Sequence, residues 1–376
     1  MKIKLKNTPE QEALIRAMGS RVASESIAAQ EAFAAFLGPV VSQVLQKAAT
    51  AGQIFTDTSY DPDDSPSFPL DLYYNEGAGY VSVYSQNMAG GIPTSQDVFA
   101  GQELKFSPYR LDSAVSFTKK YARRGRLDVI SKAVERMAQE VLVKQERNAW
   151  AVVLKALSSG STQGLSHVIN SGTGSGSSNM SFSVALLSQL MTRIKRINSA
   201  FNGTVGDSTP SAAFSKGVTD LYVSPEVMQA IRGFAYQPVS ISTSNDALPT
   251  ALTNLPDSAR EEIYRGAGAQ SIFGVNLVEL LELGVGKKYT TLFGSFYTSS
   301  NFTAGNHEVL VGVDNSKGAF IRAIATNADT GAAFTALPDD QFNQRAEKIG
   351  FYGSLEEARV CVDSRAVAGI TLQPAS

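Results

Sequence analysis

The sequence predicts an α+β fold, and three observations support this prediction. Residues 126–157 form a run without glycine or proline, in a chain that contains 31 glycines and 14 prolines. Segments in which apolar and polar residues alternate lie on both sides of that run, within 80–121 and 344–372. The length of 376 residues fits two or more domains, or one core with large extensions.

The charge content limits the classes of partner. Charged residues make up 18% of the chain, which is below the usual level of about a quarter, while apolar residues reach 43%. Such a balance suggests a surface that neighbouring copies cover. The net charge of −2 argues against sequence-specific recognition of nucleic acid, which favours a basic excess. Basic clusters in 2–6, 119–126 and 193–196 are interpreted as solvated or interface faces, with direct nucleic-acid contact as the alternative.

Cysteine content and the first residues indicate the compartment. Cys361 is the single cysteine, which excludes an intramolecular disulfide and a cysteine-based metal cage. Met1 leads into charged residues without an apolar segment, so neither a signal peptide nor a lost N-terminal propeptide is expected. No window approaches the roughly 18 apolar residues that span a bilayer. These features predict a soluble protein without a membrane partner, made in a reducing compartment.

The N-terminal stretch is predicted to be an arm. Residues 9–48 have a helical apolar period, with Thr8 as a cap and Pro9 in the first turn. The segment is rich in alanine and only thinly apolar, which suits an arm lying on a surface. Residues 56–79 are rich in turn formers and are not expected to be regular.

An extended two-stranded loop is predicted after the arm. Alternation begins in 80–85, stops at a glycine-containing tip over 87–102, and resumes in 103–121. Pro108 lies where the alternating face switches, as a bulge or bend would require. An isolated hairpin is marginal in water, so this one should lie against something, such as another subunit. Its apolar and aromatic side chains include Tyr80, Val81, Val83, Tyr84, Leu104, Phe106, Tyr109 and Leu111.

A long amphipathic helix is predicted over 126–157. Apolar residues from Leu127 to Ala156 step by three or four, and charged residues occupy the opposite side. At about 1.5 Å per residue, such a helix reaches roughly 46 Å. Its apolar stripe needs a sheet or another helix beneath it.

Two further helices have clear start signals. One begins at Ser181 or Ser183 and continues to the end of the 190s. The other follows a strand, with Ser224 as N-cap, Pro225 as the first helical residue and Gly233 as the stop. Both helices have apolar residues at helical spacing, so each is expected to cover a sheet.

Strands dominate the C-terminal part. Residues 273–283 predict one strand, and 307–325 predict a hairpin that turns at Asp314 to Gly318. Residues 344–372 predict two more strands joined near Gly353. The stretch 235–340 is therefore interpreted as an insertion between a helix pair and the strands that close the same domain.

No catalytic, cofactor or metal site is predicted, and the protein is not expected to be an enzyme. A nucleophile needs a base beside it, yet His167, His307 and Cys361 do not occur in recognisable catalytic motifs. The acidic turn 61–66 lacks the spacing and the closing glutamate of an EF-hand calcium loop. The glycine-rich runs lack the lysine of a phosphate-binding P-loop.

The order of these parts resembles the major capsid proteins of tailed bacteriophages, which have the Hong Kong 97-type fold. LYVSPEVMQAIRGF (221–234) is similar to the strand-to-helix entry of that family's axial domain. RAEKIGFYGSLEEARVCVDSRAVAGI (345–370) is similar to the closing strands of its peripheral domain. The implied parts are an N-terminal arm (1–66), an extended β-hairpin loop (67–122), a peripheral domain (123–215) with a sheet under the spine helix 126–157, an inserted axial domain (216–340) and closing peripheral strands (341–376).

The resemblance also implies a function and partners. Many copies would assemble through hexamers and pentamers into an icosahedral shell around double-stranded DNA, which is held without sequence specificity. The other implied partners are a separate scaffolding protein, a portal and a cement protein, with no cofactor. Assembly would take place in the host bacterial cytoplasm, and the chain would end in the virion capsid. The expected inter-subunit contacts are Tyr80, Val81, Val83, Tyr84, Leu104, Phe106, Tyr109, Leu111, Arg123, Arg124 and Arg126.

Two alternatives stay open from the residues. A bacterial encapsulin compartment has the same fold, although encapsulins are usually shorter and lack so long an arm and loop. The second alternative is an enzyme with an unrecognised α+β fold, such as a hydrolase. The covalent Lys–Asn cross-link of the capsid family is not assigned, because nothing marks an acidic partner for Lys105.

Overall fold

The computed structural model gives the positions of most residues. It describes residues 8–47, 50–62, 66–69, 103–125, 127–162, 165–171, 181–199, 217–236, 271–326, 333–339 and 347–373. The described helices are α1 (Pro9–Met18), α2 (Ala23–Lys47), α3 (Lys119–Arg123), α4 (Leu127–Ser159), α5 (Val184–Ser199), α6 (Pro225–Tyr236) and α7 (Lys288–Phe296). The described strands are β1 (Thr56–Tyr60), β2 (Ser67–Pro69), β3 (Glu103–Lys105), β4 (Tyr109–Thr118), β5 (Ser161–Thr162), β6 (Leu165–Ser166), β7 (Val168–Asn170), β8 (Asp220–Val223), β9 (Ser271–Ile272), β10 (Val275–Glu279), β11 (Glu308–Val313), β12 (Phe320–Ala325), β13 (Phe334–Asp339), β14 (Lys348–Cys361) and β15 (Val367–Leu372).

The chain forms two compact units. The first unit comprises Met1–Phe68, Leu104–Ala149 and Phe320–Val360. The second unit comprises Pro69–Glu103, Trp150–Ala319 and Cys361–Ser376. The sequence placed domain limits after residues 215 and 340, and the bounds of the two units fall at other positions. Each sheet is built from strands that are distant in sequence, so each unit is assembled from several separate segments.

A five-stranded sheet forms the centre of the first unit. Its order is β1–β12–β14–β13, and β4 is a further neighbour of β14. β4 pairs antiparallel with β14 from Tyr109 opposite Glu357 to Thr118 opposite Lys348. β13 also pairs antiparallel with β14, over the stretch 350–355. Because β4 and β13 use the same stretch, they must lie on opposite sides of β14.

The N-terminal helices pack into the core of the first unit. Ile15 and Met18 of α1 and Phe33 and Leu37 of α2 are buried in one apolar cluster with Phe351 of β14. The centroids of the Phe33 and Phe351 rings are 5.2 Å apart. The sequence predicted a thinly apolar arm on a surface, whereas the structure covers its apolar stripe with the chain's own sheet. Contact between the arm and a neighbouring subunit stays a prediction.

α4 is the predicted long helix, and its 33 residues correspond to about 50 Å. Ile130, Val134 and Val141, in its first part, belong to the apolar cluster of the first unit. Its last part, from Trp150 onwards, belongs to the second unit. The absence of glycine and proline lets one rod contribute to two cores.

A six-stranded sheet forms the centre of the second unit, in the order β7–β15–β11–β8–β10–β9. α5 and α6 cover one face, where Leu190 and Ile231 share an apolar cluster with Leu221 of β8. Tyr222, the next residue of β8, points to the other face, as strand alternation requires. There it meets Trp150 of α4 at 4.9 Å between ring centroids, and Trp150 stacks on Tyr289 of α7 at 5.6 Å.

Two serines start helices in this unit, as the sequence predicted. The Ser183 hydroxyl accepts a hydrogen bond from the Leu186 N–H (3.3 Å), and the Ser224 hydroxyl accepts one from the Val227 N–H (3.2 Å). The predicted stop at Gly233 is wrong, because α6 continues to Tyr236. Start signals were reliable here because they act within one turn of the helix.

The predicted hairpin over 307–325 is also wrong. β11 pairs with β8 and β15 in the second unit, whereas β12 pairs with β1 and β14 in the first. Between the two strands, the Asp314 carboxylate accepts a hydrogen bond from the Ser316 N–H (3.1 Å), and Gly318 has a φ of 56°. The residues that signal a hairpin turn therefore redirect the chain from one sheet to the other.

Gly353 does not join two strands, as the sequence predicted, because β14 runs through it. Gly353 pairs with Ala336 of β13 and Ser113 of β4. A Cβ atom at this position would lie 2.1 Å from Cζ of the Phe334 ring. The glycine makes room for an aromatic ring and not for a turn.

Candidate functional site

The expected contact residues fall into three groups. Those that lie outside the described residues are Tyr80, Val81, Val83, Tyr84 and Arg126. Those at the base of the predicted extended loop are Leu104, Phe106, Tyr109 and Leu111. Those at the end of α3 are Arg123 and Arg124. The structure places the second and third groups, and their contact with another subunit stays a prediction.

The base of the extended loop is a short ribbon of β2 and β3, which form a two-stranded sheet. Leu104 in β3 is half-buried, and Phe106 is 9% exposed. The Phe106 N–H donates a hydrogen bond to the Pro66 carbonyl at 3.0 Å, which extends the ribbon by one step. These two side chains therefore already have partial cover within their own chain.

β4 has one covered face and one exposed face, as its alternation predicted. Tyr109, Leu111 and Val115 are half-buried and Phe117 is buried, while the residues between them along the strand are mostly exposed. Leu111 and Val115 pack against the apolar cluster of the first unit. Tyr109 and Leu111 thus face their own core, and the exposed face of β4 presents polar side chains such as Arg110.

A cluster of buried charges lies at one end of β14. Glu357 is 0% exposed and accepts hydrogen bonds from Nε of Arg322 (2.8 Å), Nε of Arg359 (3.1 Å) and Nε2 of Gln145 (3.0 Å). The Tyr109 hydroxyl also donates to this carboxylate, at 2.5 Å. The cluster joins β4, α4, β12 and β14, so four elements of the first unit converge on one carboxylate.

The electrostatics of this cluster favour an ionised glutamate. Burial by itself raises the pKa of Glu357, but the charges of Arg359 and Arg322 and the Tyr109 hydrogen bond outweigh it and hold that pKa below its ordinary value. Burial and the neighbouring carboxylate raise the pKa of Tyr109. The members of the cluster are buried or half-buried, so Glu357 links these four elements within the first unit.

A basic surface lies where α1 meets α3. Arg123 and Arg124 are exposed, and Nε of Arg123 donates to the Gly19 carbonyl at 2.9 Å. Gly125 lies against the side chain of Arg16, and Arg21 follows Gly19 by two residues. Sequence reasoning found the cluster in 119–126 but missed its extension from α1, because that extension depends on contact between helices far apart in sequence.

Several large apolar side chains are exposed in the described part of the chain. Phe273 and Leu281 in the second unit are 44% and 73% exposed, and Leu337 in the first unit is 55% exposed. The remaining members are Val22, Ile27, Tyr121 and Val143. Single exposed apolar residues are common in soluble proteins. Phe273 differs, because it also has a φ of 52°, a conformation that a bulky residue rarely adopts.

A cavity of about 460 Å³ lies beside β7 in the second unit. Its apolar floor is formed by Leu165 of β6 and Ile169 of β7. Thr192, Arg193 and Arg196 of α5 line its rim. An apolar floor with cationic groups at the rim suits an aromatic or an anionic guest. Sequence reasoning noted the basic cluster 193–196 but could not place it beside an apolar strand.

The candidate nucleophile and bases of the sequence, Cys361, His167 and His307, are held by burial or by a backbone hydrogen bond. Burial lowers the pKa of His167, which is 0% exposed and packs on Gly160. Nδ1 of His307 accepts a hydrogen bond from the Thr303 N–H at 2.9 Å. Burial raises the pKa of the Cys361 thiol to about 12, so almost no reactive thiolate forms near neutral pH.

The described ranges contain neither a metal-binding group of side chains nor a membrane-spanning helix. Within those ranges, no three histidine, cysteine, aspartate or glutamate side chains are grouped so as to hold a metal ion. No helix in the same part of the chain combines the length and the apolar character needed to cross a bilayer.

Comparison with known proteins identifies the fold. No protein-family model matches the sequence, and no curated protein is significantly similar to it. Among solved structures, the capsid of the cyanophage P-SCSP1u matches with a TM-score of 0.52 at 13% identity, covering 88% of this chain and 89% of that chain. The capsid asymmetric unit of cyanophage Pam1 matches with a TM-score of 0.49 at 11% identity, covering 86% and 89%. The SrpI encapsulin complex from Synechococcus elongatus matches with a TM-score of 0.39 at 10% identity, covering 72% and 76%.

The match to the P-SCSP1u capsid covers almost the full length of both chains. At 13% identity it is a likeness of fold and not of individual residues. It confirms the predicted α+β fold of the Hong Kong 97 type. The sequence predicted this fold from the order of its helices and strands. Two proteins can keep that order when few of their residues are identical.

Proposed function

We propose that this chain is a major capsid protein, which assembles through hexamers and pentamers into an icosahedral shell around double-stranded DNA. The observation that carries the proposal is the fold match to the P-SCSP1u capsid over 88% of this chain and 89% of that one. A fold can host several functions, so the surface must support the same conclusion.

The surface supports self-assembly in two ways. Only 18% of the residues are charged, so the chain has fewer repulsive groups to hold copies apart. Exposed apolar side chains such as Phe273, Leu281 and Leu337 occur in both units, which gives each copy more than one patch to cover. Contacts between different patches on successive copies close into rings. At roughly 800 Å² per partner, a few such contacts make a stable shell.

The two units would act as the two domains of a capsid subunit. The first unit, which holds the five-stranded sheet and the first part of α4, would act as the peripheral domain. The second unit, with the six-stranded sheet, would act as the axial domain near the ring centre. The predicted extended loop (67–122) would contact a neighbouring copy from a base at which β4 stays paired in the chain's own sheet. A scaffolding protein, a portal and a cement protein would complete the particle.

The basic surface would contribute a salt-sensitive contact. Arg123 and Arg124 would face acidic side chains of a neighbouring subunit, as the sequence suggested. Exposed ion pairs contribute only about 0–1 kcal/mol each, and salt screens them. This surface would therefore adjust the rate and register of assembly more than the final stability of the shell.

Electron microscopy of the full-length chain tests the proposal. Expressed alone and together with candidate scaffolding proteins, the chain should form closed particles tens of nanometres across. Particles assembled in cells that replicate the phage genome should contain double-stranded DNA without sequence preference, measured by nuclease protection and sequencing. The matched comparison is the double variant Arg123→Glu and Arg124→Glu, which should assemble more slowly at low salt and approach the wild-type rate at high salt.

Two results would contradict the proposal. A chain that stays a monomer of 40.0 kDa under all assembly conditions is not a shell protein. Closed particles that enclose a protein cargo and exclude DNA would instead indicate an encapsulin-type compartment.

A further inference from the structure

The turn between β9 and β10 holds an aromatic residue in an unfavourable conformation. Ile272 pairs with Val275, so the connection consists of Phe273 and Gly274 alone. Both residues have positive φ values, 52° and 76°. Such two-residue turns strongly prefer Asn-Gly, because only small or locally hydrogen-bonding residues tolerate this conformation. A phenylalanine in the first position costs conformational stability, and residues of this kind concentrate at functional sites.

Phe273 gains no compensating burial within its own unit. Its side chain is 44% exposed, although its neighbour Ile272 is 2% exposed. An aromatic ring supplies a large apolar contact area with few rotatable bonds, which suits it to anchor an interface. The turn therefore exposes a rigid aromatic side chain, and the side chain of Phe273 is called the knob below.

The cavity beside β7 has the features that such a knob requires. Its floor, Leu165 and Ile169, is apolar, and its volume of about 460 Å³ is enough for an aromatic side chain. Arg193 and Arg196 also line the cavity, and arginine side chains suit contact with an aromatic ring. Arg193 is only half-exposed, so part of its hydration is already removed.

The knob and the cavity lie at opposite edges of one sheet. β9 is the last strand and β7 the first in the order β7–β15–β11–β8–β10–β9. At about 4.8 Å between strands, these edges are roughly 24 Å apart, too far for the ring to reach the cavity of its own chain. Complementary features at opposite edges are the arrangement that joins successive copies head to tail.

A negative charge lies in the half of the sheet that carries the knob. The Asp220 carboxylate, on the strand next to β10, accepts hydrogen bonds from Nδ2 of Asn276 (2.9 Å) and Nδ2 of Asn315 (2.6 Å). Asn276 is three residues from Phe273 and Asp220 lies opposite it on β8, so this negative charge is roughly 11 Å from the backbone of the knob. The rim of the cavity presents two positive charges. Electrostatic complementarity of this kind sets register and orientation at an interface.

We infer that Phe273 of one copy inserts into the cavity lined by Leu165, Ile169, Arg193 and Arg196 of a second copy, and that this contact joins second units head to tail into a ring. The inference rests on the proposed capsid function and names a contact within it. The partner is a further copy of the same chain, because the chain carries both halves of the contact.

A substitution that removes the ring but improves the turn tests the contact. Phe273→Asn restores the preferred Asn-Gly pair, so the unassembled chain should keep or raise its melting temperature. Its assembly, followed by light scattering, should need about tenfold more protein than wild type. Phe273→Trp keeps an aromatic knob and should assemble at close to the wild-type concentration.

Mixing two defective variants tests the head-to-tail geometry. Thr192→Trp fills the cavity and should also impair assembly. In an equal mixture of Phe273→Asn and Thr192→Trp, about a quarter of random neighbours pair an intact knob with an intact cavity. The mixture should therefore assemble better than either variant alone. A mixture that assembles no better than the two separate variants would overturn the head-to-tail contact.

Cross-linking gives a direct readout of proximity. In a Cys361→Ser background, the double variant Phe273→Cys and Thr192→Cys should form a ladder of disulfide-linked oligomers that stops at ring size. Each single cysteine variant should give only monomers and sparse dimers, and a double variant that behaves like them would contradict the contact.

The outcomes separate this inference from the proposed function. If wild type and Phe273→Asn each form particles at the same protein concentration, the knob contact is overturned and the capsid proposal stays intact. A wild-type chain that forms no particles would overturn both.

Discussion

The two units each bury a glutamate, yet they surround it differently. Glu357 in the first unit and Glu308 in the second are 0% and 1% exposed. Two arginines, a glutamine and a tyrosine donate to Glu357, whereas the Ser224 hydroxyl donates to Glu308. The pKa of Glu357 is lowered, while burial, aided by the charge of Glu226, raises the pKa of Glu308 against the opposing effect of the Ser224 hydrogen bond.

This contrast shows that burial alone does not decide whether a charge is needed. In the first unit the carboxylate compensates two buried cations, so its removal would leave Arg359 without a carboxylate and Arg322 with only the longer contact to the exposed Asp57 (3.6 Å). In the second unit the carboxylate compensates no buried cation, and a neutral group could take its place. The first unit therefore centres its buried charges on Glu357. In the second unit Glu308 can be neutral, and the buried ion pair lies elsewhere, between Asp363 and Arg365 (2.8 Å).

The largest expected effect is that of Glu357→Gln. The substitution removes the charge but keeps a similar shape, so the buried Arg359 loses its carboxylate and the buried Arg322 keeps only the longer contact to Asp57. We expect the first unit to lose about 3–5 kcal/mol of its free energy of unfolding. Hydrogen exchange of the β14 amides in the unassembled chain measures this loss directly, because these amides belong to the sheet that surrounds the cluster.

The matched control is Glu308→Gln, the same substitution in the second unit. The amide oxygen can still accept from Ser224, and no charge remains buried, so stability near neutral pH should stay within about 1 kcal/mol of wild type or rise. Trp150 is the single tryptophan and lies in this unit, so its fluorescence reports unfolding there. Equal losses from both substitutions would remove the distinction between the units.

A smaller effect is expected from two glycine substitutions that compare the backbones of the two sheets. A Cβ at Gly353 would meet the Phe334 ring at 2.1 Å, while a Cβ at Gly369 would meet the Leu310 carbonyl oxygen at 2.7 Å and the Leu157 side chain at 2.8 Å. Each change to alanine should cost about 1–3 kcal/mol of unfolding free energy.

The two clashes should respond differently to a second change. Phe334→Leu shortens the side chain that opposes Gly353→Ala, so this pair should show a favourable coupling energy in a double-mutant cycle by urea unfolding. Leu157→Ala cannot move the carbonyl that opposes Gly369→Ala, so the second pair should recover less. Equal coupling in both cycles would show that the backbone contact at Gly369 relaxes as easily as a side chain.

The elements that sequence reasoning predicted well depend on local signals. The apolar stripe and the absence of glycine and proline identified α4, and Ser224 with Pro225 identified the start of α6 within one turn. Alternation identified which residues of β4 share a face. In each case the information lies within a few residues of the element itself.

The features that sequence reasoning missed depend on distant pairings. The alternating pattern within 344–372 predicted strands there, but only the pairing of β12 with β14 in the first sheet places Glu357 beside Arg322. Likewise, a glycine between two alternating stretches indicates a turn, and only the structure shows that Gly353 makes room for the Phe334 ring of another strand. The Phe273 turn could have been noticed from the Phe-Gly pair between two strands, although its exposure could not.

The smallest effect is expected from mild acid, acting through Glu357. Because its folded pKa is lowered, its stabilising contribution is complete above the ordinary value of 4.5 and is lost as the pH falls through the folded pKa. At pH 4.5 half of the unfolded chains carry the proton, which raises the unfolding equilibrium constant of wild type about twofold relative to pH 7. The ratio of the β14 amide exchange rates of Glu357→Gln and wild type should therefore fall by about twofold at pH 4.5, and should fall further at lower pH. Glu308 and His167 also titrate in acid, but they occur in both proteins, so the comparison cancels them. A difference that stays constant from pH 7 to well below 4.5 would show that Glu357 is not the ionised centre of the first unit.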